Sequence, residues 1–580
     1  MPHRKSVLPV PRRAYPAIAV ALAGLVLAAL AGCGIIGERY VYLEWYTSYF
    51  EKYYVRWFDD FEKAHADEHV RISFKAMPSN AQQMVYTMLI SHSLSDVITV
   101  GLSTAPLLMD NNALEPVAPG DVDRSDFMPL SLKMASLPDG TLVGYPGGSE
   151  IRPFMYFNRD AFKEAGTSEA DVPETFDEYN RWAAKLFKWE INGKPVLGLP
   201  AGEDFKNARM LRRPCAMIRG YVRSAIPFVL SYVDPLPDAD GKSDGSIDDY
   251  LGGPPSGRPF RFTTPEFIKG LREYQKFFLP KTSAPSDGDT QQMEGFKSGV
   301  YAGMEGANWI YGEIFTMDMQ VTNFPHAPGR KPKLWMGASA SGVARQSKHK
   351  RLAVEFAKFL SSTEAQVDAY YGHGYLPCRF SAWKRLNDDI ALDEKLRARF
   401  LGPFGDGGVG LPQLKHRDRD TIDVTLYVPF AGDTRILRVS AGAAAPPAEE
   451  AAPEGAEEAP PAAALEGAKA LEAKYRPTAE KLAADVKAAS SQNVTVTVQG
   501  TPPELIPMRS FVTKSPIPAY VPLLADAGVW TPYNKTWDRI HREVITRALE
   551  FVTRAEGAMT PEDAAAWAQK EAEDIAAGRK

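Results

Sequence analysis

Glu150 and Arg152 end the polar run GGSEIR at 147–152, inside the longer stretch DGTLVGYPGGSEIRPFMYFNRDAFKEAG at 139–166. A carboxylate and a guanidinium at this spacing can hydrogen-bond a polar ligand, or they can simply pair with each other. Two further places concentrate groups of similar kind. Glu44, Trp45, Tyr46 and Tyr49 follow a short apolar run, and Asn308 and Trp309 stand in a glycine-flanked turn. Signals for bond-breaking chemistry are sparse. No HExxH, GxSxG or P-loop pattern occurs. His65 and His69 are spaced i, i+4 but sit among charges at a helix end with no third metal ligand nearby in sequence. A carboxylate pair for glycoside hydrolysis is defined by its spatial separation, which spacing along the chain does not give. Cys215 and Cys378 lack CxxC spacing, so they read as a single disulfide or as two buried thiols. The residue types therefore favour binding over catalysis, with no cofactor and no metal.

The elements around Glu150 explain how it would be presented. Asp139-Gly140 is a turn dipeptide, 141–145 reads as a strand, and Pro146-Gly147-Gly148 allows a bend. A second extended run occupies 154–157. Asn158 can cap a helix over 159–165 that stops at Gly166. Two strands joined through a flexible polar segment at 147–152 suit a chain crossing between two lobes; an ordinary strand–loop–strand is the alternative. Upstream, strand-like runs at 40–43, 70–74 and 96–100 alternate with helical patterns. These include the face formed by Tyr54, Phe58 and Phe61, and the segments 80–90 and 103–110. Such alternation predicts right-handed βαβ units and a mostly parallel sheet. Ligands bind beyond the C-terminal ends of such strands, where 44–50 and 101–104 emerge.

Downstream, Thr175 and Glu178 form a capping-box pattern, and 263–278 is a helix with Phe267, Leu271, Tyr274 and Phe278 on one face. Segments 324–329 and 372–377 read as further crossings. From 400 to 510 the pattern loosens into an insertion assigned to the second lobe. Its strand-like runs are 424–428, 435–439 and 494–498, and 466–489 is a helix candidate. The Ala/Pro/Glu-rich part, 441–464, cannot bury a core and is expected to be disordered. Asn534 and the pair Thr560-Pro561 mark the starts of the last helices.

The N-terminus carries His3, Arg4, Lys5, Arg12 and Arg13 before an apolar run at 17–30, the layout of a secretory signal. It ends in Leu30-Ala31-Gly32-Cys33, which resembles the bacterial lipobox. That resemblance makes 1–32 a signal peptide and Cys33 the lipidated first residue of a tether at 33–39, holding the folded part at a membrane outside the cytoplasm. The 580 residues are 44% hydrophobic and 24% charged, an ordinary globular composition for two or more domains. A net charge of −5 gives no footprint for nucleic acid.

The order of several motifs resembles the bacterial extracellular solute-binding proteins of the maltose-binding type, which serve ABC importers. These are SDVI at 95–98, DNNALEPV at 110–117, the central stretch quoted above, PETFDEY at 173–179, FKSGVYAGMEGANW at 296–309, RLAVEFAKFLSSTEAQ at 351–366, GYLP at 374–377 and TWDRIHREVITRALE at 536–550. The resemblance implies an α/β, two-lobe periplasmic-binding-protein clamp, type II-like, with a hinge of about three crossings. The first lobe would comprise 40–150 and 325–375, and the second 151–324 and 376–580. By the same resemblance the ligand would meet Glu44, Trp45, Tyr46, Tyr49, Ser103, Glu150, Asn308, Trp309 and Trp537. Aromatic platforms with carboxylates and amides at their rims suit a sugar, whose rings have apolar faces and polar edges. The implied protein is a monomer that captures a carbohydrate and delivers it to importer membrane subunits without acting as an enzyme. A ligand-sensing scaffold that uses the insertion to bind a partner is the alternative, followed by an extracytoplasmic hydrolase.

Overall fold

The computed structural model describes residues 40–47, 55–78, 81–101, 104–137, 139–199, 208–237, 243, 245–254, 256–278, 284–286, 288–314, 317, 319–400, 413–429, 434–442, 462–501, 528–530, 534–554 and 557–580. The signal and tether with Cys33, the residues Tyr49 and Ser103, and 443–461 lie outside these.

Strands Val41–Thr47, Val70–Ala76 and Val97–Val100 are parallel, with Trp45 opposite both Phe74 and Val97. Helices Val55–Ala64 and Ala81–Ile90 make the crossovers. The sheet then turns antiparallel. Strand Leu334–Val343 lies beside Val97–Val100, and Tyr145–Arg152 lies beside Leu334–Val343. Leu376–Pro377 closes that edge, and Gly528–Val529 pairs with the start of Leu334–Val343. The sheet is therefore mixed rather than mostly parallel, because its later strands re-enter from the second lobe. Two short strands assigned by sequence to the second lobe, at 376–377 and 528–529, pair in the first.

The expected flexible linker at 147–152 is ordered as part of strand Tyr145–Arg152. Glycine serves close packing here rather than a bend: a Cβ on Gly148 would lie 3.3 Å from the Cβ of Tyr375. The chain passes to the second lobe between Arg152 and Phe154. Strand Phe154–Asn158 is flanked antiparallel by Gly303–Gly306 and Met319–Asn323, and Ala216–Ile218 and Ala284–Ser286 extend that sheet. Helix Arg159–Glu164 follows, with the Asn158 side chain accepting from Asp160 N. Phe176, Tyr179, Phe228, Tyr274 and Phe277 fill the core beneath helices Phe176–Ala183, Val222–Val229 and Pro265–Phe277. Thr560 caps the last helix, Pro561–Ala576, by accepting from Asp563 N. Each such cap contributes about 1 kcal/mol.

The insertion is a folded unit with its own core. Strands Gln413–Asp418, Thr421–Pro429, Asn493–Thr501 and Thr434–Ala441 pair in that order. Helix Ala462–Ser490 covers one face, packing Leu482, Ala483 and Val486 onto Val424, Val496 and Val498. The unit rests on helix Thr363–His373. His416 stacks on Tyr371 at 4.9 Å, and Arg419 N donates to Asp368 Oδ1 at 2.9 Å. That helix lies at the junction of the lobes, since it packs on Tyr145–Arg152 and on Ile310–Ile314.

Candidate functional site: the inter-lobe cleft

A cavity of about 320 Å³ lies between the lobes, within the size range of small-molecule sites. The first lobe contributes Thr99, Gly101 and Thr104 from the C-terminal end of Val97–Val100, as the topology requires. It also contributes Glu150 from the hinge strand and Trp335 from the return strand. The second lobe contributes Tyr221, Arg223, Asp289 and Trp309, and Tyr375 enters from the loop after Thr363–His373.

Arg152 anchors the floor. Its side chain is 1% exposed. Its Nη2 donates to Glu305 Oε1 at 2.9 Å, its Nη1 to Asp289 Oδ2 at 3.1 Å, and its Nε to Ser224 Oγ at 3.0 Å. Glu305 is fully buried and also accepts from Gln292 Nε2 at 3.1 Å. Burial alone would disfavour the Arg152 charge; Glu305 and Asp289 outweigh it and hold the guanidinium well above its ordinary pKa. A buried ion cluster of this kind is stable only when its partners are complete. Tyr221 lies between the two arginines, with the guanidinium carbon of Arg152 at 4.9 Å from its ring centre and that of Arg223 at 5.5 Å.

Arg223 reaches across the cleft to the first lobe. It stacks over Trp335 at 4.2 Å and donates from Nη1 to Glu150 Oε2 at 3.3 Å. Burial disfavours its charge, and Tyr221 and Glu150 favour it, leaving its pKa raised.

Among the residues selected by sequence, Glu150 and Trp309 line the cavity. The others fall elsewhere. Trp45 is fully buried in the first-lobe core, edge-on to Phe58, Phe74 and Phe356 at 6.0, 6.0 and 5.7 Å. Tyr46 is buried on the opposite face of the same strand, with Val85 and Ile98. Glu44 is tied to Lys75 at 2.6 Å and is no part of the cavity lining. Trp537 is fully buried in the second-lobe core beside Phe260. Asn308 is fully buried as a hinge clamp. Its Oδ1 accepts from Ile151 N at 2.7 Å, and its Nδ2 donates to Gly374 O at 2.6 Å and Ser149 O at 3.4 Å. Tyr49 and Ser103 lie outside the described residues. His65 is engaged by Phe61 O and Glu355. Cys215 and Cys378 are buried free thiols. Trp335, Tyr221, Arg223 and Asp289 carried no motif that singled them out, and Tyr375, within GYLP, was read only as part of a chain crossing.

Residues 56–398 match the family model of bacterial extracellular solute-binding proteins, and the chain belongs to that family. The sn-glycerol-3-phosphate-binding periplasmic protein of Brucella abortus is 22% identical over 272 residues, which cover 45% of this chain and 55% of that protein. The chain thus spans about half the length of these curated relatives. An arabinooligosaccharide-binding protein of Bacillus subtilis is 22% identical over 383 residues, covering 61% and 78%. Among solved structures, the GacH receptor of Streptomyces glaucescens, determined unliganded and with acarbose, aligns with a TM-score of 0.54 at 13% identity, covering 92% and 98% of the two chains. The maltotriose-binding protein of Thermus thermophilus gives 0.53 at 15% identity, covering 91% and 99%. The fold is the two-lobe clamp of the maltose-binding type.

Proposed function

We propose that this chain captures a carbohydrate in the inter-lobe cleft and delivers it to an ABC importer, breaking no bond. The observation that carries this reading is the convergence of Trp309, Arg223 and Asp289 from one lobe with Trp335, Glu150 and Thr99 from the other. A ligand that touches both sets at once favours the closed arrangement, because contacts to both lobes are complete only there. Asn308 and the Arg152 cluster keep the hinge strand in place while the lobes move. Glu150 and Trp309 contact the ligand in this reading. The protein works as a monomer, held outside the cytoplasm by lipid on Cys33.

A thermal-shift screen against neutral sugars, polyols and sugar phosphates tests this. A ligand that binds only the native state raises the melting temperature. The expected result is a shift with one class and unchanged ligand after incubation; turnover of the ligand would instead identify a hydrolase.

One observation supports a second role for the same clamp. The inserted domain rests on the helix Thr363–His373, and the residues that follow it lead directly to Tyr375 in the cleft. A sensing role through this domain predicts that deleting 400–510 abolishes partner binding while ligand binding persists.

A further inference from the structure

The charges around the cavity discriminate between kinds of ligand. Among the described residues, the acidic and basic side chains that line it are Glu150, Arg223 and Asp289; Arg152 is bonded to Asp289, and Glu305 to Arg152. Two arginines thus face three carboxylates. Arg152 has no role left for a ligand, since Asp289, Glu305 and Ser224 occupy it and it is out of reach of solvent. Arg223 is the one cation presented to the cavity among these groups, and Glu150 answers it at 3.3 Å. An anion entering the cleft would approach Arg223 only alongside the Glu150 carboxylate, whose repulsion offsets the attraction of the guanidinium. A hydroxyl group has no such conflict. It can donate to Glu150 and accept from Arg223 at once, with a ring face against Trp309.

We propose that Glu150 excludes anions from the cleft, so that the ligand is an uncharged polyhydroxylated molecule rather than a phosphate ester or a sugar acid. This rests on the reading of the cleft as a solute-binding site. It sets the chain apart from its relatives named for binding sn-glycerol 3-phosphate. Glu150 is the specificity-determining residue, and Arg223 is the group whose charge it masks.

The test compares matched neutral and charged probes: glucose with glucose 6-phosphate, glycerol with sn-glycerol 3-phosphate, and galactose with galacturonate. Dissociation constants are measured by calorimetry on the purified protein, on Glu150→Gln and on Arg223→Gln. The wild type is expected to bind a neutral probe and to reject its charged counterpart by about tenfold or more. Glu150→Gln lowers that ratio by about tenfold, and Arg223→Gln raises it. Misfolding would weaken both members of a pair together, so the opposite movement of the ratio in the two variants is specific to charge. Wild-type protein that binds a phosphate ester as tightly as the neutral probe overturns the proposal, as does a Glu150→Gln ratio equal to the wild type. Absence of binding to every probe overturns instead the solute-binding reading beneath it.

Discussion

Replacing Asn308 by alanine should damage the hinge rather than the ligand contacts. The side chain is fully buried and bonds three backbone groups: Ile151 N at 2.7 Å, Gly374 O at 2.6 Å and Ser149 O at 3.4 Å. Alanine leaves all three in a space without water. Each buried group left unpaired costs about 1–3 kcal/mol. Counting the two short bonds fully and the long one weakly gives about 3–4 kcal/mol. The assay is urea unfolding together with hydrogen exchange at the Ile151 amide. A local loss of about 3 kcal/mol lowers protection there by about two orders of magnitude, since 1.4 kcal/mol is tenfold. Asn308→Asp should be no rescue, because a carboxylate facing two carbonyl oxygens cannot donate to them. Unfolding within about 0.5 kcal/mol of wild type, coupled with loss of ligand affinity, would refute the clamp and return Asn308 to the ligand site.

Three further outcomes follow from the same geometry. Trp309→Ala should weaken ligand binding by about tenfold or more with under about 1 kcal/mol of lost stability, whereas Trp537→Ala, in a filled core, should cost about 3–5 kcal/mol; calorimetry and denaturation of the two variants compare them, and equal stability losses would contradict the assignment. Arg152→Met should destabilise by about 3–5 kcal/mol, because Glu305 is then buried without its cation; a neutral effect on the urea midpoint would show that the cluster is dispensable. Burial, reinforced by Arg223 and Arg542, pushes the His541 imidazole from 6.5 down to about 3. The folded state keeps it neutral while the unfolded chain takes up a proton, so its stabilisation is full above pH 6.5 and is lost as pH falls toward 3. At pH 4.5 the loss is about 3 kcal/mol, and His541→Gln should lose that much less on acidification; superimposable pH profiles would contradict this.

Local signals were legible in the sequence because their causes are local. Asn158, Asn534 and Thr560 cap the helices they precede, each through its own side chain. The alternation of strands and helices located the first lobe and its C-terminal strand ends. Side-chain direction was harder to read. Period-two alternation in Val41–Thr47 places Trp45 with Leu43 in the core and Tyr46 on the other face, and the helical spacing of Trp537, Ile540 and Val544 marks a core stripe. Both signals were present, but aromatic type suggested a ligand platform. Asn308 could not be assigned from sequence, since its three partners come from chain crossings at 149–151 and 374. Tyr221, Arg223 and Trp335 meet only through tertiary packing of two lobes. The inserted domain showed three of its four described strands, without Gln413–Asp418, and not its fold, because the pairing of Val424 with Val496 joins residues far apart in the chain.

The central claim is that the cleft holds an uncharged sugar between two lobes that close on it. The most direct measurement is a crystal structure of the protein grown with the neutral sugar that gives the largest thermal shift. An intact sugar is expected in the cavity, its ring against Trp309, its hydroxyls on Glu150 and Arg223, with atoms of both lobes in contact. A sugar bound outside this cavity, or one found cleaved within it, would contradict the account.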